Sequence, residues 1–324
     1  MQPKIIVYSK MDESVMHKLQ KAYDVVFIEK SDPNFEEQLN DHLADVQGII
    51  GDGLVVDEQL LKHAPQLKVV SNISVGYDNL DVPSMSRYGV MATHTPDVLT
   101  ETTADLMFGL LLAAARRIGQ LDRYVKMGRW RKPIDRDLFG LDVHHKTLGM
   151  IGMGRIGQAI AHRGKMGFHM PILYYNRSRK EKAERELGAV YCELDELLRQ
   201  ADFVCLMTPL TKETHHLIGK REFALMKKTA VFINGSRGKT VDEQALVEAL
   251  QAKQIAGAGL DVYAEEPIPA DHPLLKMDHV VTLPHVGSDT YENRLAMEEL
   301  AAENLVTALR GKRPAHLLNP EVWK

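Results

Sequence analysis

Cysteine is nearly missing from this chain of 324 residues, which carries only Cys192 and Cys205. Two isolated cysteines exclude a disulfide framework and read as small apolar residues in a reducing compartment. An excess of one charge is missing too. Lys plus Arg number 40 against 44 Asp plus Glu, a formal net charge of -4, so no electrostatic reason exists to expect nucleic acid as a partner. No apolar run reaches the roughly 20 residues that a bilayer span needs, so no membrane segment is expected. Met1 to Tyr8 enter a strand-like run without the basic, apolar and small-residue sections of a signal peptide. A cytoplasmic protein is expected. Low-complexity segments and short repeats are also lacking. His144-His145 and His215-His216 do not supply a metal site. Adjacent histidines point to different sides of a strand or helix, and no ligand set accompanies them at the right spacing. The expectation is no metal.

What is present is an ordinary globular composition, 44% hydrophobic and 26% charged, at a length that suits two domains of roughly 150 residues. Short apolar runs at Ile5–Tyr8, Val25–Ile28, Gly48–Gly51, Leu67–Ser71 and Val90–Ala92 read as strands, with amphipathic helices such as Glu13–Lys21 and Phe35–Leu43 between them. A second series follows at Thr147–Ile151, Ile172–Tyr175, Phe203–Met207, Ala230–Asn234, Ala256–Leu260 and Val280–Thr282, and Tyr291–Leu309 reads as a closing helix. Strand and helix in alternation mean crossover connections, so two α/β domains with mostly parallel sheets are expected. Pro96 marks a boundary, after which Thr100 reads as the N-cap of a long helix. That helix is apolar on most faces, which asks for a second burying surface from another domain or subunit. Lys126–His145, basic and broken by Gly128, Pro133 and Gly140, reads as an irregular surface loop.

The strand ending at Ile151 runs straight into Gly152-Met153-Gly154-Arg155-Ile156-Gly157, with a helix expected from Gln158. This is G-x-G-x-x-G between a strand and a helix, the context that gives the motif its meaning. Gly152 suits the tight turn, Gly154 lets the backbone approach a pyrophosphate, and Gly157 permits helix and strand to pack closely. The helix N-terminus adds a positive dipole end. An acid that binds the ribose 2′-hydroxyl belongs about 20 residues further on. Asn176 stands there instead, 19 residues beyond Gly157, followed by Arg177-Ser178-Arg179. Loss of the carboxylate removes repulsion against a 2′-phosphate, and the two arginines supply charge-assisted donors for it. NADP(H) is therefore expected as the preferred coenzyme, with NAD(H) possible.

Further candidates follow other strand-like runs, where open α/β sheets bind ligands. Arg237 sits between Gly235-Ser236 and Gly238. Leu260-Asp261 leads to Glu265-Glu266-Pro267, and Pro284 delivers His285 ahead of Val286-Gly287-Ser288. Each has a dull reading alone; beside a dinucleotide fingerprint they form an Arg, Glu and His set suited to proton transfer.

On these residues, together with the loop Ser74-Val75-Gly76-Tyr77-Asp78-Asn79, the chain resembles the D-isomer-specific 2-hydroxyacid dehydrogenase family over nearly its whole length. It is most similar to the bacterial glyoxylate/hydroxypyruvate and 2-ketogluconate reductases. The resemblance implies two Rossmann-like or flavodoxin-like domains: a discontinuous substrate domain over 1–99 and 287–324, and an inserted NAD(P)-binding domain over 100–286. It implies reduction of a small 2-keto acid to a D-2-hydroxy acid, with Arg237, Glu266 and His285 as the catalytic residues. Ser74, Val75 and Gly76, with Arg237, would hold the substrate carboxylate. Asp261 would hold the nicotinamide carboxamide; Thr208, Pro209, Asn234, Ser236, Gly287 and Ser288 would join Arg155, Ile156 and the glycines around the coenzyme. A homodimer through the helix after Thr100 is implied as well. Two departures from the family's pattern are Asn176 in place of an acid and Lys239-Thr240 where many members carry Pro. Two alternatives stay open: an NAD-dependent D-lactate-type dehydrogenase, and a dinucleotide-sensing binding protein, since related transcriptional corepressors share the fold.

Overall fold

The computed structural model describes residues 2–323. They divide into two compact units, one that runs to Leu99 and resumes at Ser288, and one formed by Thr100–Gly287. The first unit alternates β1 (Lys4–Val7), α1 (Glu13–Ala22), β2 (Asp24–Phe27), α2 (Phe35–Leu43), β3 (Gly48–Gly51), α3 (Glu58–His63), β4 (Val69–Asn72), α4 (Val82–Arg87) and β5 (Met91–Thr93). All strand pairs are parallel, in the order β2-β1-β3-β4-β5. This is the flavodoxin-like order. Every residue of β3 and β4 is buried, as a parallel sheet covered on both faces requires.

The second unit holds α5 (Thr100–Ala115), α6 (Ile118–Lys126), β6 (Leu148–Ile151), α7 (Arg155–Phe168), β7 (Ile172–Tyr175), α8 (Glu181–Leu187), β8 (Val190–Tyr191) and α9 (Leu194–Gln200). It continues through β9 (Phe203–Leu206), α10 (Lys220–Leu225), β10 (Val231–Asn234), α11 (Glu243–Gln251), β11 (Gly257–Leu260) and β12 (Val280–Thr282). Its seven parallel strands run β12-β11-β10-β9-β6-β7-β8, the doubly wound Rossmann arrangement, with the order reversing between β6 and β9. Side chains such as Phe203, Phe223 and Phe232 are fully buried here, and each contributes about 1.5–3 kcal/mol relative to exposure.

The chain then returns to the first unit as α12 (Tyr291–Leu309), which packs against β3, β4 and β5. Polar contacts fix the return. Ser71 Oγ donates to the Ala301 carbonyl at 2.7 Å, and the Glu298 carboxylate accepts the Asp12 N–H at 2.7 Å. Near the C-terminus, Asn319 accepts from Ala92 N–H and donates to the Val90 carbonyl, both at 2.9 Å.

Five local readings need correction. Thr100 is the first helical residue of α5 rather than its cap. The helix after the glycine fingerprint starts at Arg155, inside the motif, because Gly154 already takes the extended capping conformation. The two-residue edge strand β8 was too short to leave a periodic signal. The second burying surface of α5 lies within its own unit: Phe108 meets Phe168 of α7 at 4.9 Å between ring centroids, and Leu110 lies over Gly259 of β11. Gly287 groups with the second unit, one residue past the expected boundary, and lies beside the Asp261 carboxylate. No helix among the described residues is long and apolar enough to cross a membrane.

Candidate active site

The three fingerprint glycines are explained one by one. Gly152 has φ 95°, and a Cβ there would sit 2.6 Å from the Met207 carbonyl oxygen. A Cβ on Gly157 would overlap the Gly152 carbonyl oxygen, so α7 leaves the turn at a distance that only hydrogen tolerates. A Cβ on Gly154 would meet nothing within 4 Å. Gly154 therefore leaves open space at the helix N-terminus rather than relieving a clash, which fits a pyrophosphate there. Arg155 and Ile156 form the first turn of α7, Ile156 against the core. Across the turn, Thr208 Oγ1 is buried without a hydrogen-bond partner among the described residues, and the Pro209 carbonyl accepts from Thr214 Oγ1 at 2.6 Å. An orphaned hydroxyl beside this open cradle suits a polar dinucleotide.

At the end of β7, Asn176 does more than remove a negative charge. Its Oδ1 accepts the Met153 N–H of the fingerprint at 3.2 Å, and its Nδ2 donates to the Ser178 carbonyl at 2.8 Å. A carboxylate could make the first bond but not the second, so the amide shapes the turn that carries the arginines. Arg177, Ser178 and Arg179 are exposed. The two arginines differ: Arg179 forms a two-bond fork on Glu184 (3.0 and 2.7 Å) and lies over the Tyr191 ring at 6.0 Å.

The strand ends of β10, β11 and β12 carry the Arg, Glu and His set. Asn234 closes β10; its Oδ1 accepts from the Ser236 N–H and hydroxyl at 3.0 and 2.9 Å, and its Nδ2 donates to the Arg237 carbonyl at 3.2 Å. Gly235 and Gly238 flank Arg237 for packing reasons, since a Cβ would overlap Met107 at the first and the Tyr263 carbonyl at the second. His285 Nδ1 lies 2.7 Å from Glu266 Oε2, and Glu266 Oε1 accepts the Tyr263 N–H at 2.9 Å. The Glu266 hydrogen bond raises the His285 pKa above its ordinary value despite burial and the nearby Arg237 cation. Burial pushes Glu266 up, but its bonds to His285 and to the Tyr263 N–H outweigh this and hold it below the usual carboxylate range. The His285 backbone is left-handed, φ 55°, which costs about 1–2 kcal/mol for a residue with a Cβ. Asp261 holds that conformation by accepting the Val286 N–H at 2.9 Å. Asp261 is 1% exposed, and burial raises its pKa against the Val286 and Gly287 N–H groups.

Three contributors escaped the sequence reading. Thr240 is fully buried and its hydroxyl donates to the Arg237 carbonyl at 2.6 Å, so it pins the arginine loop. Glu243 accepts the Ala264 N–H at 3.0 Å and pairs with His272 at 3.3 Å. Tyr263 donates its hydroxyl to the Leu283 carbonyl at 2.9 Å, and burial pushes its pKa to about 12, so it stays a neutral donor. Only Thr240 and Glu243, three and six residues past Arg237, left any trace in spacing. Beside the Glu266–His285 pair lies an apolar cavity of about 440 Å³, walled by Pro267, Ile268, Leu275, Leu283 and Pro284.

Ser74, Val75 and Gly76 lie in the first unit, on the loop after β4, and are half-buried. Ser288 also groups with that unit, its carbonyl accepting from Asn293 Nδ2 at 2.7 Å at the entrance to α12. Among the described residues no group of three or more His, Cys, Asp or Glu side chains is arranged to hold a metal ion.

Residues 108–287 match the profile of the D-isomer specific 2-hydroxyacid dehydrogenase NAD binding domain. The chain is 48% identical over all 324 residues, the whole of both proteins, to the glyoxylate/hydroxypyruvate reductase B of Escherichia fergusonii. It is 48% identical to that of Citrobacter koseri over 99% of each chain. Among solved structures, a Thermus thermophilus protein superposes with a TM-score of 0.90 at 38% identity, over 97% of this chain and 99% of that one. The NADPH-dependent glyoxylate/hydroxypyruvate reductase of Sinorhizobium meliloti, solved with NADP and malonate, gives 0.87 at 34% identity over 98% and 97%. A fingerprint of this geometry, the doubly wound sheet around it and identity sustained over the full length have one explanation: the chain belongs to the D-isomer-specific 2-hydroxyacid dehydrogenase family and is an NAD(P)-dependent oxidoreductase.

Proposed function

We propose that this chain is an NADPH-dependent reductase of small 2-keto acids, namely glyoxylate, hydroxypyruvate and 2-ketogluconate, forming D-2-hydroxy acids. The observation that carries the reading is the 2.7 Å contact of His285 Nδ1 with Glu266, in the unit that bears the dinucleotide fingerprint. The substrate class is supported by the 48% identical relatives named as glyoxylate/hydroxypyruvate reductases, and the coenzyme by Asn176 with Arg177 and by the NADP-bound Sinorhizobium meliloti structure. We assign residues 100–287 to coenzyme binding and, through Arg237, Glu266 and His285, to proton transfer, and 1–99 with 288–324 to substrate binding.

Gly152, Gly154 and Gly157 with the start of α7 hold the pyrophosphate, and Asn176, Arg177, Ser178 and Arg179 the adenosine ribose and its 2′-phosphate. Thr208, Pro209, Ser236 and Asp261 line the nicotinamide half. The bound coenzyme supplies the hydride for the keto carbon. Arg237 and the N–H groups of the Ser74–Gly76 loop take the carboxylate, and Arg237 also stabilises charge growing on the keto oxygen. Glu266 accepts a hydrogen bond from the Nδ1–H of His285, fixes the ring and favours its imidazolium. His285 Nε2 then delivers a proton to that oxygen, a step worth about 10²–10⁴-fold. A homodimer in the cytoplasm completes the proposal, a reducing setting in which the buried thiols of Cys192 and Cys205 stay unpaired.

The test is loss of NADPH and NADH absorbance by purified protein with glyoxylate, hydroxypyruvate, 2-ketogluconate and pyruvate. Fast NADPH oxidation with one of the first three is expected, and Arg237→Ala and His285→Ala should each lose several orders of magnitude in turnover with an unchanged Tm. Wild-type rates in either variant would overturn the assignment. Tight coenzyme binding without turnover would favour the sensor, and a preference for NADH with pyruvate the lactate-type enzyme.

A further inference from the structure

We propose that Asn72 and His94 are positioning residues for the substrate carboxylate. They turn the peptide units of the loop after β4 so that three successive N–H groups, those of Val75, Gly76 and Tyr77, face outward as one anion nest. The inference rests on the proposed reduction of 2-keto acids.

All three carbonyls of the loop are tied back into the first unit. The Ser74 carbonyl accepts the Thr95 N–H at 3.0 Å, the Val75 carbonyl accepts from His94 Nδ1 at 3.0 Å, and the Gly76 carbonyl accepts from Asn72 Nδ2 at 2.8 Å. In a planar trans peptide the N–H points opposite to the C=O. Holding those three oxygens therefore aims the N–H groups of Val75, Gly76 and Tyr77 away from Thr95, His94 and Asn72. None of the three donates to a backbone carbonyl in the turns and loops of the described residues. Ser74, Val75 and Gly76 are half-buried and Tyr77 is exposed, so an incoming anion can reach them. Successive outward amides of this kind form a concave, partly positive site for a carboxylate or phosphate.

The two side chains are themselves held. Asn72 is fully buried, and its Oδ1 accepts from Asn79 Nδ2 at 3.3 Å while that amide also donates to the Leu54 carbonyl at 2.7 Å. The His94 carbonyl accepts from Asn304 Nδ2 of α12 at 3.2 Å, and its ring meets Tyr77 edge-on at 5.7 Å. Donation to Val75 requires the proton on Nδ1, so His94 serves as a rigid donor with a defined tautomer.

The test uses the full-length chain with His94→Leu, His94→Gln and Asn72→Asp. For each, KM and kcat are measured for a keto acid that the wild type reduces, along with the inhibition constant of oxamate and the Kd of NADPH. The nest binds ground and transition states alike, so His94→Leu and Asn72→Asp should raise KM and the oxamate constant together, about tenfold. The kcat should stay within about twofold, because uniform binding does not alter the chemical step. NADPH binding should not change, and His94→Gln, which keeps an N–H donor, should recover most of the loss. Should His94→Leu fail to fold, Asn72→Asp decides, since it keeps the shape and exchanges only the donor. Unchanged KM and oxamate binding in a folded variant would overturn the inference alone. Losses that track Tm, with Gln no better than Leu, would reduce both residues to structural roles. A wild type that neither reduces keto acids nor binds oxamate would overturn the proposed function, and this inference with it.

Discussion

Glu266 and His285 draw each other's titration apart, and that fixes the pH behaviour expected of the reaction. Hydrogen bonding to Glu266 raises the His285 pKa above 6.5, so the imidazolium survives past the pH at which an ordinary histidine loses its proton. Reduction should hold steady through pH 6.5 and fade only as pH rises through the elevated value. Glu266→Gln removes the charge that favours the imidazolium, so the fade should begin at lower pH; a profile unmoved by this change would remove Glu266 from the acid's control. At the coenzyme end, the arginines are not equivalent. Arg177→Ala should weaken NADPH at least about tenfold, the scale of a charge-assisted hydrogen bond, with little change in NADH. Arg179→Ala should cost less, because its fork on Glu184 competes with any phosphate. Equal losses for NADPH and NADH in the double variant would refute a 2′-phosphate role. The sequence identified these residue types, but not that Asn176 folds the turn with its amide donor or that Glu184 occupies one of its arginines. Such contacts depend on side-chain direction, which spacing does not carry.

The turn from β6 into α7 depends on two glycines for opposite reasons, and substitution separates them. Gly157→Ala drives a methyl into the Gly152 carbonyl, so α7 must shift; overpacking of this sort costs about 1–3 kcal/mol and should lower Tm in the coenzyme-free protein. Gly154→Ala meets open space, so Tm should hold while coenzyme affinity falls, because the methyl occupies room that the pyrophosphate needs. Reversal of that pattern, with Gly154→Ala unstable and still binding, would displace the phosphate from this cradle. Element positions were legible where periodicity was strong: Phe35–Leu43, Gly48–Gly51, Ile172–Tyr175, Val280–Thr282 and Tyr291–Leu309 form as their patterns predict. The helix α7 starts three residues before its pattern predicts, since a capping glycine looks like any other glycine until its backbone is seen.

At the scale of the whole molecule, the apolar face attributed to the helix after Thr100 is used up inside its own unit. Exposed apolar side chains lie further on, in α6 and the segment after it, with Ile118 53%, Trp130 63% and Phe139 56% exposed. Large apolar side chains left in water along one stretch of chain favour association. The proposed dimer should therefore sediment at twice the 36.4 kDa of one chain, and Ile118→Asp with Trp130→Asp should shift it toward the monomer without loss of secondary structure. A wild-type monomer at working concentration would remove the dimer from the proposal.

By itself, the sequence determined the two α/β series, the parallel sheets and the dinucleotide fingerprint, because hydrophobic period and glycine placement are local properties that short stretches of chain express. Tertiary structure decided what local pattern cannot express. It turned α12 back onto the first sheet through Ser71 and Glu298, since an amphipathic helix states which face must be buried but not against what. It also brought Glu266 to His285 across 19 residues and recruited Thr240 and Tyr263 to hold that neighbourhood, because distance in space between side chains is set by how strands are ordered in the sheet.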